Sequence, residues 1–320
     1  MSFSVACREL ASRAKNALLC IQQRLYFLGS NSLDLYLKLF DAQIQPILLY
    51  GSEIWGFDVV ASDYCEKVHL YALKKYLGVD NRTPNDLVYG ETNRYPIVLN
   101  CILRGMRYWL KLIKMGQSRL PYRSYKMLLN LDNRGKNNWV SQVRLKLFQY
   151  GFGHVWVNQG VQNDKQFLYL FRQHLIDCRW QMWDLHVQSS DRFSLFRTFS
   201  TSHEQKLYLQ MNIDRHLRFL LTRFRLGISD IAVHQYRYKR HVMTDLLCPL
   251  CKTAEENEMH FVFICPVLKH LRDKLLPAKF CRHPNPFKLT LLLSSSNRKT
   301  VQNFGVYLYK ALQLRSTVQP

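Results

Sequence analysis

Residues 248–265 read CPLCKTAEENEMHFVFIC, and no other stretch of the chain restricts its own folding so tightly. A Cys-x2-Cys turn lets both sulfurs face one ion. Cys248 and Cys251 form that turn, and His260 and Cys265 complete C-x2-C-x8-H-x4-C. Three thiolates and an imidazole form a tetrahedral ligand set, so the spacing predicts a structural Zn2+ held by Cys248, Cys251, His260 and Cys265. With every position taken by protein, no place is left for water or substrate, and such a site implies folding or binding without catalysis. On a continuous helix, residues five apart are about 140° out of phase, so His260 and Cys265 would diverge. Pro266 disfavours the helical region for Cys265, so the helix bearing His260 is expected to end just before Cys265 and turn its thiol back. The alternative is three reduced cysteines beside a surface histidine, with the C-x2-C spacing a coincidence.

The charge balance bears on the partner. Lys and Arg number 45 against 23 Asp and Glu in 320 residues, a formal net charge of +22. Such an excess favours a polyanion, either nucleic acid or an anionic membrane surface. No apolar run reaches the length of a membrane span, and the opening MSFSVACRELASRAKNALLC lacks the continuous apolar core of a signal peptide. Cys7, Cys20, Cys65, Cys101, Cys178 and Cys281 lie outside motif spacing and read as reduced, apolar side chains. The expectation is an intracellular protein, in the nucleus or a cytoplasmic ribonucleoprotein, neither secreted nor membrane-bound.

Periodicity predicts a mostly α fold. Leu33, Tyr36, Leu37, Phe40 and Ile44 fall on one helical face, which Pro46 should kink or end, and YGSEIWG reads as a turn. Ser62 is expected to cap a helix running to about Leu77, with Gly78 just past its end. Thr83, Pro84 and Asp86 give a start signal of the capping-box kind, with Pro84 at the first helical position. Leu99, Ile102, Leu103, Met106, Leu110 and Ile113 form an apolar stripe over 96–115. DNRGKNNW is a polar loop, GFGHVWVNQG interrupts regular structure, and FLYLFRQHLIDCRWQMWDLH resumes helical spacing. These signals divide the chain into a helical region over 1–120, a helical connector over 121–200, and a basic region with the zinc knuckle and a C-terminal tail over 201–320.

The basic region concentrates its charge just ahead of the ligands. Leu217, Leu220, Leu221 and Phe224 share one face of a helix over 215–225, while Arg215, Arg218, Arg223 and Arg225 take the rest of its circumference. Arg237, Lys239 and Arg240 follow, interleaved with Tyr236 and Tyr238, and Asp230 is the one acid in 215–240. That composition suits phosphate contact by the cations and base stacking by the tyrosines. A solvated helix face with long cationic stems is the alternative.

FRLGISDIAVHQYRYKRHVMTDLLCPLCKTAEENEMHFVFICPVLKHLR resembles the C-terminal zinc-knuckle region of non-LTR (LINE-type) retrotransposon reverse transcriptases. The resemblance rests on Phe224 to Leu226, Tyr236 to Tyr238, the ligand set, the acidic Glu255 to Glu258, and the His260-Phe261 and Cys265-Pro266 pairs. Upstream, KLFDAQIQPILLYGSEIWG, YALKKYLGV, TPNDLVYGETNRYPI and RGMRYWLKL are similar to the thumb and post-thumb region of the same polymerases, in the family's order. Together the matches cover most of residues 5 to 275, which would make 1–120 thumb-like.

The chain departs from the family at the chemistry. Nucleotidyl transfer needs palm carboxylates to hold two divalent ions, and no Asp-Asp pair occurs in the sequence. A Walker-type phosphate loop and an HExxH motif are missing too. The expectation is therefore a fragment that binds RNA or single-stranded DNA through a zinc-stabilised region and does not polymerise. A zinc-stabilised protein-interaction module and a remnant of a transposable element are the alternatives.

Overall fold

Apolar residues recurring at three-and-four spacing can be buried together only on a helix, and helices are what the chain forms. The computed structural model describes residues 3–29, 32–200, 206–238 and 246–318. The described chain is 73% helical, with 18 α-helices and no strand, as the periodicity predicts.

Several ends differ from expectation for local physical reasons. The helix Val59–Leu77 is capped by Asp58, whose Oδ1 accepts from the N–H groups of Val60 and Ala61 at 3.0 and 3.1 Å. A carboxylate at a helix N-terminus answers both the free N–H groups and the macrodipole. Ser62 lies inside the helix and donates its hydroxyl to the Val59 carbonyl. Pro46 does not stop its helix either. The run Leu33–Leu39 widens into a π turn at Phe40–Ile44, closed by Gln45 N–H donating to the Phe40 carbonyl, and Gln45–Leu48 follows with Pro46 near its start. YGSEIWG holds Gly51 at φ 67° and then a short helix, Ser52–Trp55. The 132–139 loop ends in Asn138, which forms a capping box with Ser141 to start the helix Trp139–Gln149.

Packing does not follow the three consecutive segments read from the sequence. The chain forms two compact units: Met1–Gln23, Lys38–Leu70 and Tyr95–Met182 in the first, and Arg24–Leu37, Tyr71–Arg94 and Trp183–Pro320 in the second. Sequence order hides this division because Tyr76 and Glu91 find partners more than 130 residues downstream, in Arg218 and Arg225.

In the first unit the helix Val98–Ile113 buries Ile102, Met106, Trp109 and Leu110 against Val140, Val143, Leu147, Phe167 and Phe171. The Trp109 and Trp156 rings stack 5.9 Å apart. Asp132, almost fully buried, accepts both Nε and Nη2 of Arg144 at 2.9 and 3.0 Å. Hydrogen bonds from Arg144 outweigh burial and hold the Asp132 carboxyl below its ordinary range. Cys7, Cys65 and Cys101 are buried thiols in this unit, and no cysteine is in a disulfide among the described residues.

In the second unit the helix Arg215–Arg225 packs along Arg298–Val318. Phe224 meets Phe261 and Phe304 with ring centroids 6.3 and 5.8 Å apart, and Tyr307 lies edge-on to Phe261. No helix among the described residues is long and apolar enough to cross a membrane.

Gly78 holds φ +68°, and a Cβ added there would sit 2.2 Å from the Phe219 ring. Gly78→Ala should cost at least about 2 kcal/mol, from left-handed strain plus overpacking, in urea unfolding. The folded pKa of Asp132 is depressed, so its contribution is present above the unfolded carboxylate value and lost as pH falls through the lowered one. Asp132→Asn should flatten the fall in melting temperature over that acidic window, relative to the parent protein.

Candidate metal centre

The residues 246–256 fold back on themselves. Cys248 N–H donates to the Ala254 carbonyl at 2.8 Å, Lys252 N–H to the Cys248 carbonyl at 2.8 Å, and Glu256 N–H to the Leu246 carbonyl at 2.7 Å. The reversal needs Lys252 at φ 57°, a left-handed conformation uncommon outside glycine. This tight turn carries Cys248 and Cys251. Asn257 then starts the next element, its Oδ1 accepting from His260 N–H at 2.8 Å.

His260–Ile264 is a π turn, closed by Cys265 N–H donating to the His260 carbonyl at 2.8 Å. The obstacle posed by a five-residue spacing on an α-helix is removed by this i+5 bond, which brings the two ligand residues to the same side. Cys265 itself takes φ −50°, ψ 120°, the extended geometry that Pro266 favours.

The four ligand atoms lie within 4.8 Å of one another, close enough to hold a metal ion. Cys248 and Cys265 Sγ are 4.0 Å apart, and Cys251 Sγ is 3.4 Å from His260 Nε2. A tetrahedral ion with bonds of about 2.3 Å to sulfur and about 2.0 Å to nitrogen sets those edges near about 3.8 and 3.5 Å. Those two edges match tetrahedral values, and the four atoms together lie close enough to hold a metal ion.

The three thiols differ in how readily they ionise. Burial pushes the Cys248 thiol up to about 12, against partial relief from the Cys251 and Leu250 amides. Cys265 is raised by burial as well. Burial opposes ionisation of Cys251, but hydrogen bonds from the Thr253 hydroxyl and backbone and from the neighbouring thiols bring it down to about 7. Burial also lowers His260, which favours the neutral, ligating imidazole. Three thiols packed around one point become thiolates together only when a cation compensates their charge.

A supporting shell comes from Tyr307, Arg272 and Arg315, which carry no motif in the sequence, and from the acidic loop and Arg237, whose partners the sequence does not show. Tyr307 donates its hydroxyl to the Phe261 carbonyl at 2.6 Å, within the π turn. Arg272 donates to the Cys265 carbonyl at 3.1 Å. The acidic loop turns inward: Glu256 is fully buried, accepting Arg315 Nε at 2.8 Å and the Ala232 N–H at 2.6 Å. Glu258 accepts from Arg237 at 2.5 Å and faces His234 Nε2 at 3.2 Å. The Ser229 N–H donates to His234 Nδ1, leaving Nε2 to carry the proton toward Glu258. Asn257, three residues before His260, was readable as a helix cap. Tyr307 and Arg315 lie more than forty residues downstream and give no local signal.

The expected nucleic-acid contacts are divided. Arg215 and Arg223 are exposed; Arg215 stacks over Phe219 at 5.3 Å, and Arg223 donates to the Gly78 carbonyl at 2.9 Å. Arg218 and Arg225 are only 2% and 3% exposed, which corrects their placement on the solvent side of the helix. Arg218 donates to the Tyr76 hydroxyl at 2.9 Å, with its guanidinium 4.2 Å above the same ring. Arg225 forms a buried ion pair with Glu91 at 2.6 Å, donates to the Leu293 carbonyl, and lies 4.3 Å above Phe199 and 4.8 Å above Tyr208. Neither guanidinium can reach a phosphate without leaving the core. Tyr236 and Tyr238 are half-buried, Arg192 covers the Tyr238 ring at 5.8 Å, and Arg237 is engaged by Glu258. Lys239 and Arg240 lie outside the described residues.

No protein-family model, curated protein or solved structure matches the chain.

Arg225→Ala should cost about 3–5 kcal/mol in urea unfolding, because it leaves Glu91 charged, buried and unpaired. The double variant Arg225→Met/Glu91→Leu should recover most of that loss, since two apolar side chains replace both charges. Normal stability in Arg225→Ala would place this arginine at the surface after all.

Proposed function

We propose that this chain is a nucleic-acid-binding fragment of a LINE-type reverse transcriptase, stabilised by one structural zinc ion and without polymerase chemistry of its own. The observation that carries the metal half is the convergence of three thiols and one imidazole within 4.8 Å. Zinc suits that mixed sulfur and nitrogen set, and tetrahedral thiolate-rich sites of this kind hold folds together. When bound, it supplies no reaction. It would fix Cys248, Cys251, His260 and Cys265 in one place, and with them the π turn that carries Phe261 into the aromatic cluster.

The nucleic-acid half is supported by the +22 formal charge and by the exposed Arg215 and Arg223. Phosphate contacts by such cations are independent of base sequence and strongly salt-dependent. The sequence resemblance supplies the descent, and the missing carboxylate pair supports binding without nucleotide incorporation. RNA and single-stranded DNA are both within this reading.

A second reading takes its support from the same arginines. Arg218, Arg225 and Arg237 are all tied to internal partners, which favours a zinc-stapled protein-interaction module in which the basic helix serves the core.

The deciding experiment titrates labelled single-stranded RNA against zinc-loaded protein and chelator-treated protein over a range of salt. The first reading expects one zinc per chain by elemental analysis, a lowered melting temperature after chelation or in Cys251→Ala, and binding that steepens with falling salt and weakens without metal. Weak RNA binding that ignores zinc would overturn it in favour of the interaction module. Incorporation of nucleotides on a primed template would overturn the non-enzymatic part.

A further inference from the structure

The first compact unit contains a cleft of about 600 Å³ whose charged lining is Arg107, Lys111, Lys114, Arg119, Lys165 and a single acid, Asp164. Asp164 is spent on Lys114, at 2.7 Å. Among the described residues, Arg107, Lys111, Arg119 and Lys165 have no carboxylate partner.

Their placement concentrates exposed positive charge on one side of the unit. Arg107, Lys111 and Lys114 follow one another at i, i+4 and i+7 along and just past Val98–Ile113, which stacks like charges on one face. The end of that helix offers Lys111 and Lys114 some compensation through its dipole. Arg119 and Lys165 have none. Arg119 is the N-cap of Leu120–Asn133, a helix with no acidic residue in its first turn, and Lys165 lies in the first turn of Asp164–Ser189. Helix N-termini favour negative charge; Asp164 and the Asn163 side chain answer that of Asp164–Ser189, whereas Arg119 adds a cation to one with no acid in its first turn. A concave site with low-dielectric walls focuses the resulting potential.

We propose that this cleft binds adjacent phosphate groups, as a phosphate site separate from both the metal centre and the 215–240 stretch. Four unpaired cations around one cavity match two or more phosphates. The remaining wall is apolar, from Leu110, Met115 and Leu168. No aromatic ring lines it to stack a base, so recognition is of phosphate. A nucleic-acid backbone and a free polyphosphate share that chemistry.

The test uses the full, zinc-loaded chain with two probes, a short single-stranded RNA and inorganic tripolyphosphate. Lys111→Glu/Lys165→Glu is compared with the parent and with Arg215→Ala/Arg223→Ala. If the backbone is the ligand, the cleft variant loses about tenfold or more in RNA affinity and its salt slope becomes shallower by about 1.4, the loss of two phosphate contacts on a single strand. Zinc content stays unchanged. If tripolyphosphate affinity alone falls, the site stands with a free polyphosphate as its source. Parental affinity for both probes in the cleft variant overturns the proposal. Should that variant melt early, lysine acylation of the parent protein decides: either probe must protect Lys111 and Lys165, and protection by neither overturns the proposal. Failure of the nucleic-acid reading itself would appear differently, as a parent protein that does not bind RNA, with the tripolyphosphate arm still readable.

Discussion

A charge cannot be buried alone, and the second unit is organised around that constraint. Arg225 sits in the core with 3% of its surface exposed. Its neutralisation requires Glu91 from one segment, the Leu293 carbonyl from another, and the rings of Phe199 and Tyr208 from two more. Five stretches of chain must therefore be in place together for the unit to close. The same solution recurs near the metal centre, where Arg315 meets the buried Glu256, and Arg237 meets Glu258. Such pairs add little net stability relative to apolar residues of equal volume, but breaking one is expensive. In a chain this rich in cations, they also dictate which arginines are left for a partner.

The candidate metal centre depends on that framework as much as on its own four residues. The Cys248–Cys251 turn is local, closed by its own backbone hydrogen bonds. The His260–Cys265 half is not: its π turn has a carbonyl that Tyr307 satisfies from the C-terminal helix Arg298–Val318. Arg272 holds the Cys265 carbonyl from the intervening helix. The residues after 277, which carry no recognisable motif, thus supply the scaffold of the most recognisable one.

Much of this was legible in the residues themselves. Three-and-four apolar spacing gave the helices, since burial of a stripe needs no distant information. C-x2-C-x8-H-x4-C marked the four side chains that converge, because metal geometry imposes its own spacing. Pro266 foretold the extended Cys265. The caps were less legible: Ser62 and Asp58 are both good capping residues, and only the helix's actual start separates them.

The sequence by itself determined the helical class, the four residues that come close enough to hold a metal ion, and the large excess of positive charge. The tertiary structure decided which charges are spent. Arg218 and Arg225 look like neighbours of Arg215 and Arg223 on a helical wheel, yet two face Tyr76 and Glu91 inside the core while two remain exposed. A wheel shows the angle at which a side chain leaves its helix. It cannot show what waits there, because Tyr76 and Glu91 arrive from more than 130 residues away, and desolvation by such distant partners sets the fate of a buried cation.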